Sequence, residues 1–292
     1  MPEQIFISGF ADEISSDFDM QLETVSGLGM KYISLRSADG KGIADFTLEE
    51  AEKDLIPRLR QKGIVVSSLG SPVGKIKIDD EQGYKRQLKQ LDELCRISCA
   101  LNCAYIRIFS FYMPEAQKPE VFTGQVLKKL SGFLDIARKY NIILIHENEK
   151  EIYGDTDMRC RELMESMKDP HFASAFDFAN FVQCGVDPMR AYKQLKPYVK
   201  YIHIKDALAH QQENVVCGTG DGKIKEILKE AILVDGYTGF LTLEPHLAVF
   251  DSLASLETKE AKEIIKEDKA ENGAEAYRMQ YHALQDLLKE IK

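Results

Sequence analysis

The chain has 292 residues, 44% apolar and 29% charged, with a formal net charge of −9. That is enough chain to bury a large core, and it falls within the size of one α/β barrel. The acidic balance, with no Lys/Arg run above it, argues against nucleic acid as the main partner.

No stretch approaches the ~20 apolar residues needed to cross a bilayer, and MPEQIFISGF lacks a basic region followed by a long apolar run. No membrane partner and a cytoplasmic location are therefore expected. Six cysteines, at 95, 99, 103, 160, 184 and 217, show no C-x-x-C spacing. They read as free thiols, because a chain of this length needs no disulfide staples.

Short β-rich runs alternate with helical periods along the chain. IFISGF (5–10) precedes DFDMQLETVSGLG (17–29), where Phe18, Leu22 and Val25 share a face and glycines supply the stop. YISLR (32–36) precedes TLEEAEKDLIPRLRQKG (47–63), which opens on a Thr cap with an acidic first turn and ends in Gly63. Pro57 is expected to kink or divide that helix. IVVSSLG (64–70), YIRIFSF (105–111), IILIHE (142–147), FASAFDF (172–178), YIHIKD (201–206) and GFLTLEP (239–245) complete the strands. Helical runs at 84–102, 121–140, 157–167, 187–197 and 223–236 fall between or after them.

Eight strand–helix units of roughly 35 residues each predict a closed (β/α)8 TIM barrel. The open doubly wound alternative usually carries a G-x-G-x-x-G turn after its first strand; FISGFADE has none. The whole chain, 1–292, reads as one barrel domain with a C-terminal helical extension. In that extension, 251–272 is highly charged and 275–291 is amphipathic. The charged part reads as a solvated helix, or as a lid or a subunit contact of a homo-oligomer at the barrel mouth.

In such a barrel the C-terminal strand ends form the active face. Side-chain alternation points Glu147, Asp177, His203 and Glu244 inward from four consecutive strands. Each taken alone reads as a capping or ion-pairing residue. Together, three carboxylates and an imidazole would repel without a cation, so one divalent metal ion (Mn, Zn, Mg or Co) is expected among them. Arg36, Arg107 and Lys205 are candidates for an anionic or polyhydroxy substrate, or for ion pairs with neighbouring acids. His146 reads as a substrate contact or as a packed group that orients its neighbours. Asp206 and Asn180 are further substrate candidates, with Asp206 able to pair with Lys205, and His246 reads as a substrate contact or a loop cap. The GTGDG loop (218–222) reads as a tight turn, with N–H groups that could otherwise serve a substrate phosphate.

With these residues in place, the sequence resembles the xylose-isomerase-like TIM barrels, in particular the sugar-phosphate isomerase/epimerase group. That group includes ketose 3-epimerases, inosose isomerases and dehydratases, and the hydrolytic endonuclease IV. The resemblance covers nearly the whole chain and rests on HENE, DFAN, YIHIKDA, GTGDG and LEPH. It implies that Glu147, Asp177, His203 and Glu244 bind one metal, and that Glu147 and Glu244 double as an acid/base pair. The chain departs from the ketose 3-epimerases at Asn180, where they carry His. Only six histidines are present, which argues against the trinuclear site of the endonuclease branch. A metal-dependent sugar, polyol or sugar-phosphate isomerase or epimerase is the expected function. An inosose- or dehydroshikimate-type dehydratase and a non-catalytic sugar-binding barrel are the alternatives.

Overall fold

The computed structural model describes residues 4–211, 213–250 and 270–291. Eight parallel strands form the barrel: β1 (Ile5–Gly9), β2 (Tyr32–Leu35), β3 (Val65–Leu69), β4 (Tyr105–Ile108), β5 (Ile143–Glu147), β6 (Phe172–Asp177), β7 (Val199–Ile204) and β8 (Gly239–Leu243). Their order is β1-β8-β7-β6-β5-β4-β3-β2, and a parallel bridge between Phe10 and Ser34 joins the last pair. Helices of the (β/α)8 pattern lie between them.

The two-residue alternation of the strands separates two apolar layers. Leu144, Phe176, Ile202, Ile204, Leu241 and Leu243 face outward into the large core shared with the helices. Ile145, Ala173, Ala175 and Tyr201 form a separate cluster inside the barrel. Inside, the composition changes along the barrel axis. Near the N-terminal strand ends, Phe6, Tyr32, Tyr105, Tyr201 and Phe240 pack ring against ring at 5.1–5.7 Å between centroids. Above them lies a layer of hydroxyls. The β2–β3 register shifts after Ile33/Val66 to Ser34/Ser68, leaving Ser67 as an extra residue. Ser67 and Ser68 thereby both reach the Tyr201 hydroxyl, at 2.7 and 3.0 Å, while Ser8 meets Ser67 and Ser34 meets Ser68 at 2.6 Å. Ionisable groups occupy the C-terminal end.

The helices begin and end where local chemistry dictates. Asp17 caps Phe18–Gly27 by accepting from Met20 N, and Thr47 with Glu50 forms a reciprocal capping box. Pro57 does divide its helix, because the turn before it, Ala51–Leu55, widens to π geometry and Ile56–Lys62 resumes α geometry. Gly63 closes that helix with φ +65°.

Among the short elements beyond the sequence reading are the helix Phe178–Gln183 and the ribbons Ser37–Ala38/Lys41–Gly42 and Asp206–Leu208/Glu213–Val215. All follow the C-terminal ends of strands and are too short to show a period. The C-terminal helix Gly273–Glu290 buries Tyr277, Leu284 and Leu288 against the barrel. Its Gln280 donates to Ile204 O at 3.0 Å and accepts from Cys217 N at 3.0 Å. A side chain at Gly273 would collide with the Glu13 carbonyl, so this helix start is fitted to the loop after β1. The expected lid or subunit-contact segment falls largely in 251–269, outside the described residues. All six cysteines are free thiols, and no described helix is long and apolar enough to cross a membrane.

The hydroxyl layer carries a direct consequence. Tyr201→Phe removes the hydroxyl that Ser67 and Ser68 share while leaving them Ser8, Ile33 O and Ser34 as partners. It is expected to cost about 0.5–1.5 kcal/mol, read as a lower urea midpoint with an unchanged m-value.

Candidate active site

Four strand ends deliver the acidic cluster. Glu147 closes β5, Asp177 closes β6, His203 is the penultimate residue of β7, and Glu244 directly follows β8. Each offers a ligand atom within 4.8 Å of the others, and all four are buried. His203 Nδ1 lies 2.8 Å from Glu147 Oε1 and 3.4 Å from Glu244 Oε2. Phe10 packs edge-on to the imidazole, with ring centroids 5.2 Å apart.

Three cations thread through the cluster. Arg107 Nη1 is 3.1 Å from Glu147 Oε2, and Lys205 Nζ is 3.3 Å from Asp177 Oδ2 and 3.6 Å from Glu244 Oε2. Arg36 spreads over three acids: Glu244 at 3.0 Å, Asp12 at 2.8 Å and Glu13 at 3.3 Å. Phe10 lies between the two guanidiniums, with their central carbons 4.5 and 4.9 Å from its ring centroid. Asp12 and Glu13 went unrecognised in the sequence analysis. The available signal was FADE, two acids directly after β1, where a barrel strand opens onto its active face.

The electrostatics are unbalanced. Asp12, Glu13, Glu147, Asp177 and Glu244 are five buried acids facing Arg36, Arg107, Lys205 and the His203 imidazole. Two further buried acids nearby are already matched: Glu149 by Lys75 at 3.2 Å, and Asp206 by backbone N–H groups. The excess appears in proton affinities. Burial pushes Asp177 up to about 7 although Lys205 opposes it, with Glu244 and Glu147 adding to the rise. Burial likewise pushes Glu13 up to about 8 against the pull of Arg36. For His203 burial works against protonation, but Glu147 and Glu244 overcome it and raise the imidazole to about 9. Burial also works against ionisation of Glu244, yet Lys205, His203 and His246 hold it well below the usual carboxylate range.

Glu147 Oε2, Asp177 Oδ2, His203 Nε2 and Glu244 Oε2 are buried and make no hydrogen bond, the three carboxylate oxygens meeting ion-pair partners at 3.1–3.6 Å instead. Buried polar atoms are seldom left so, and here one falls on each member of a single cluster. A divalent cation among three carboxylates and an imidazole would take these ligand atoms and replace the protons that crowding otherwise draws to Asp177 and His203. The residues present therefore fit such an ion.

Other expected site residues have different surroundings. His146 alternates away from Glu147 and faces outward, its Nε2 2.9 Å from Ser110 Oγ and its ring beside Phe172. Burial lowers it to about 4, so it is neutral and packed outside the barrel interior, the second of its two expected roles. Asn180 ties strand ends together. Its side chain donates to Asn148 O at 2.8 Å, while Asn148 exchanges two 3.0 Å bonds with the Asp177 backbone. Asp206 faces its own loop. Its carboxylate accepts from the N–H groups of Ala207, Gly218, Gly220 and Gly222 at 2.9–3.0 Å. The GTGDG turn thus closes on a carboxylate of its own chain, and the phosphate-cradle alternative loses three of its donors. His246 stands at the cluster rim with φ +47°, its Nε2 3.4 Å from Glu13 and 3.6 Å from Glu244.

An eight-stranded parallel barrel with a buried acidic cluster and a histidine at its C-terminal mouth defines a metal-competent (β/α)8 protein. The family described as xylose isomerase-like TIM barrel matches residues 22–271, and the chain belongs to it. Over 123 residues (42% of this chain, 44% of the other) it is 19% identical to 3-dehydroshikimate dehydratase of Bacillus anthracis, so it spans less than half the length of that curated relative. Two solved structures share the fold. The IolI protein with a bound zinc atom has a TM-score of 0.75 at 16% identity, covering 99% of each chain. L-ribulose 3-epimerase has a TM-score of 0.71 at 16% identity, covering 99% of this chain and 95% of the other.

Two outcomes follow. Metal-free protein titrated with Mn²⁺, Zn²⁺, Mg²⁺ or Co²⁺ should gain thermal stability with at least one ion, by about 2.7 kcal/mol at a hundredfold excess over Kd, and His203→Ala should gain none. Asp206→Ala leaves four inward N–H groups without their acceptor. It should cost on the order of 3 kcal/mol and speed amide exchange at Gly218, Gly220 and Gly222.

Proposed function

We propose that this barrel is a divalent-metal-dependent isomerase or epimerase of a sugar or polyol, working by proton abstraction next to a carbonyl. The observation that carries the reading is the placement of two carboxylates, Glu147 and Glu244, on one imidazole within a four-donor cluster. Similarity to an epimerase and to a zinc-containing barrel supports it at the level of fold.

Under this proposal Glu147, Asp177, His203 and Glu244 hold the ion. When bound, the ion supplies Lewis acidity toward a substrate carbonyl and offsets the negative charge that develops there. Glu147 takes the proton from the adjacent carbon, and the C–H electron pair moves into the C=C bond of an enediolate. Arg107 keeps Glu147 ionised for this task. For epimerisation Glu244, ionised at rest, relays a proton from water or a substrate hydroxyl to the opposite face, and Glu147 releases the one it took. For isomerisation the proton is delivered to the neighbouring carbon. General acid–base help of this kind is worth about 10²–10⁴-fold.

The four residues are almost wholly enclosed, with Glu244 the most exposed at 3%. His246 and Phe250 stack at 5.3 Å between ring centroids, and Phe250 also covers Arg36. This cover moves aside to admit substrate, and its return excludes water from the enediolate.

The partial match to 3-dehydroshikimate dehydratase favours a second reading, in which the same enediolate expels a β-hydroxyl instead of being reprotonated. Metal-loaded protein incubated with ketoses and inososes in D₂O separates the two. Deuterium incorporation followed by NMR is expected, lowered at least a hundredfold in both Glu147→Gln and Glu244→Gln. A conjugated enone absorbance without deuterated substrate would support the dehydratase. Undiminished exchange in both variants would remove the glutamates from the chemistry.

A further inference from the structure

We infer that Glu13 is a latch: it ties the segment His246–Phe250, which covers the cluster, to Arg36, and through Arg36 it sets the orientation of Glu244. The link to Glu244 rests on the metal-dependent reading of the site; the latch itself does not.

Glu13 divides its two oxygens between two elements. Oε2 accepts the backbone N–H of His246 at 2.8 Å, and Oε1 accepts from Arg36 Nη2 at 3.3 Å. His246 is the second residue after Glu244 and has φ +47°, a conformation that non-glycine residues rarely hold without support. Glu13 gives that support from a buried position. Its backbone is fixed in turn by the start of the C-terminal helix, where a Cβ on Gly273 would fall 2.0 Å from the Glu13 carbonyl oxygen. No proton-transfer step uses this carboxylate, yet it bonds at once to the covering loop and to the guanidinium behind Glu244.

Arg36 carries the connection inward. Each of its three nitrogens faces a different carboxylate: Nε on Asp12 at 2.8 Å, Nη2 on Glu13 at 3.3 Å and Nη1 on Glu244 at 3.0 Å. Phe10 and Phe250 pack on it, with ring centroids 4.5 and 5.4 Å from the guanidinium carbon. Phe250 belongs to the cover and stacks on His246 at 5.3 Å. The cover therefore reaches the guanidinium twice, directly through Phe250 and indirectly through Glu13. Lifting it loosens both contacts together. The Glu244 oxygen held by Arg36 is Oε1, while Oε2 faces His203 and Lys205. The turn of that carboxylate thus depends on a guanidinium whose own seat depends on the cover. Glu13, Glu244 and His246 also offer three ligand atoms within 4.8 Å of one another. Arg36 already takes Oε1 of both glutamates, so the geometry favours a latch over a second ion.

The test uses the full chain with Mn²⁺ and amide hydrogen exchange read by mass spectrometry. Glu13→Ala removes both acceptor oxygens, and Phe250→Ala removes the ring on Arg36. Each should speed exchange of the Leu247–Phe250 amides, beyond the one that Glu13 binds, by about tenfold with the barrel strands unchanged. Glu13→Gln keeps one acceptor oxygen; it should fall between, and it serves if the Ala variant does not fold. Because both substitutions open one latch, the double variant should be little faster than either single one. The EPR spectrum of bound Mn²⁺, which reads the symmetry of its ligands, should change in Glu13→Ala while the ion stays at one per chain. Unaltered exchange in all three single variants overturns the inference, and so do multiplied effects in the double variant. An unchanged Mn²⁺ spectrum beside faster exchange overturns the link to Glu244. A second ion per chain, lost in Glu13→Ala, would make Glu13 a ligand and overturn the latch. Failure of Mn²⁺ to bind at all would sink the metal reading, and the exchange data would then decide the latch.

Discussion

Crowding of buried carboxylates at the C-terminal mouth of this barrel is the constraint around which much of the surrounding structure is organised. Five carboxylates from the ends of β1, β5, β6 and β8 converge where Arg36, Arg107, Lys205 and the His203 imidazole oppose them. Arg36 alone connects β2 to the loop after β1 and to the residue after β8. Removing one partner from such a network leaves the others buried and unmatched, which costs far more than a surface ion pair. The raised proton affinities of Asp177 and Glu13 and the orphaned atoms of the four-residue cluster express the same excess.

A rigid scaffold is needed to keep like charges this close. The barrel interior supplies it in layers, from packed aromatic rings through the Tyr201–serine hydroxyls to the ionised rim. Each layer restricts the rotamers of the one above, as His203 is held edge-on between Tyr201 and Phe10. From outside, the C-terminal helix fixes Ile204 O and Cys217 N through Gln280, while Asn148 and Asn180 lock the ends of β5 and β6 to each other. The supporting polar groups thus place the reactive ones by many modest bonds and little freedom.

Much of this could be read from the amino-acid string because strands impose a strict period. Ile143, Ile145 and Glu147 share a face, and so do Tyr201 and His203; the inward phase of Glu147, Asp177, His203 and Glu244 follows from counting by twos. The same count places His146 outward, where adjacency in sequence alone leaves its role open. Asp206 is a different case. Its partners are backbone N–H groups of a loop 12 to 16 residues downstream, and backbone donors leave no signature in residue identity. Asp12 and Glu13 were legible as acids after a strand, but their role depends on Arg36 reaching across from β2, a contact between elements that periodicity does not describe. The short helix Phe178–Gln183 hid behind its own cap, since Asp177 both accepts from Asn180 N and belongs to the acidic cluster.

For function, the central claim is that the charge excess exists to hold one divalent cation between Glu147, Asp177, His203 and Glu244. Anomalous diffraction from crystals of Mn²⁺-loaded protein tests it most directly. A single strong peak about 2.0–2.5 Å from a ligand atom of all four residues, absent in a Glu147→Gln crystal, is the predicted result. Density for Mn²⁺ elsewhere on the protein, with the four side chains unchanged and no peak among them, would contradict the account.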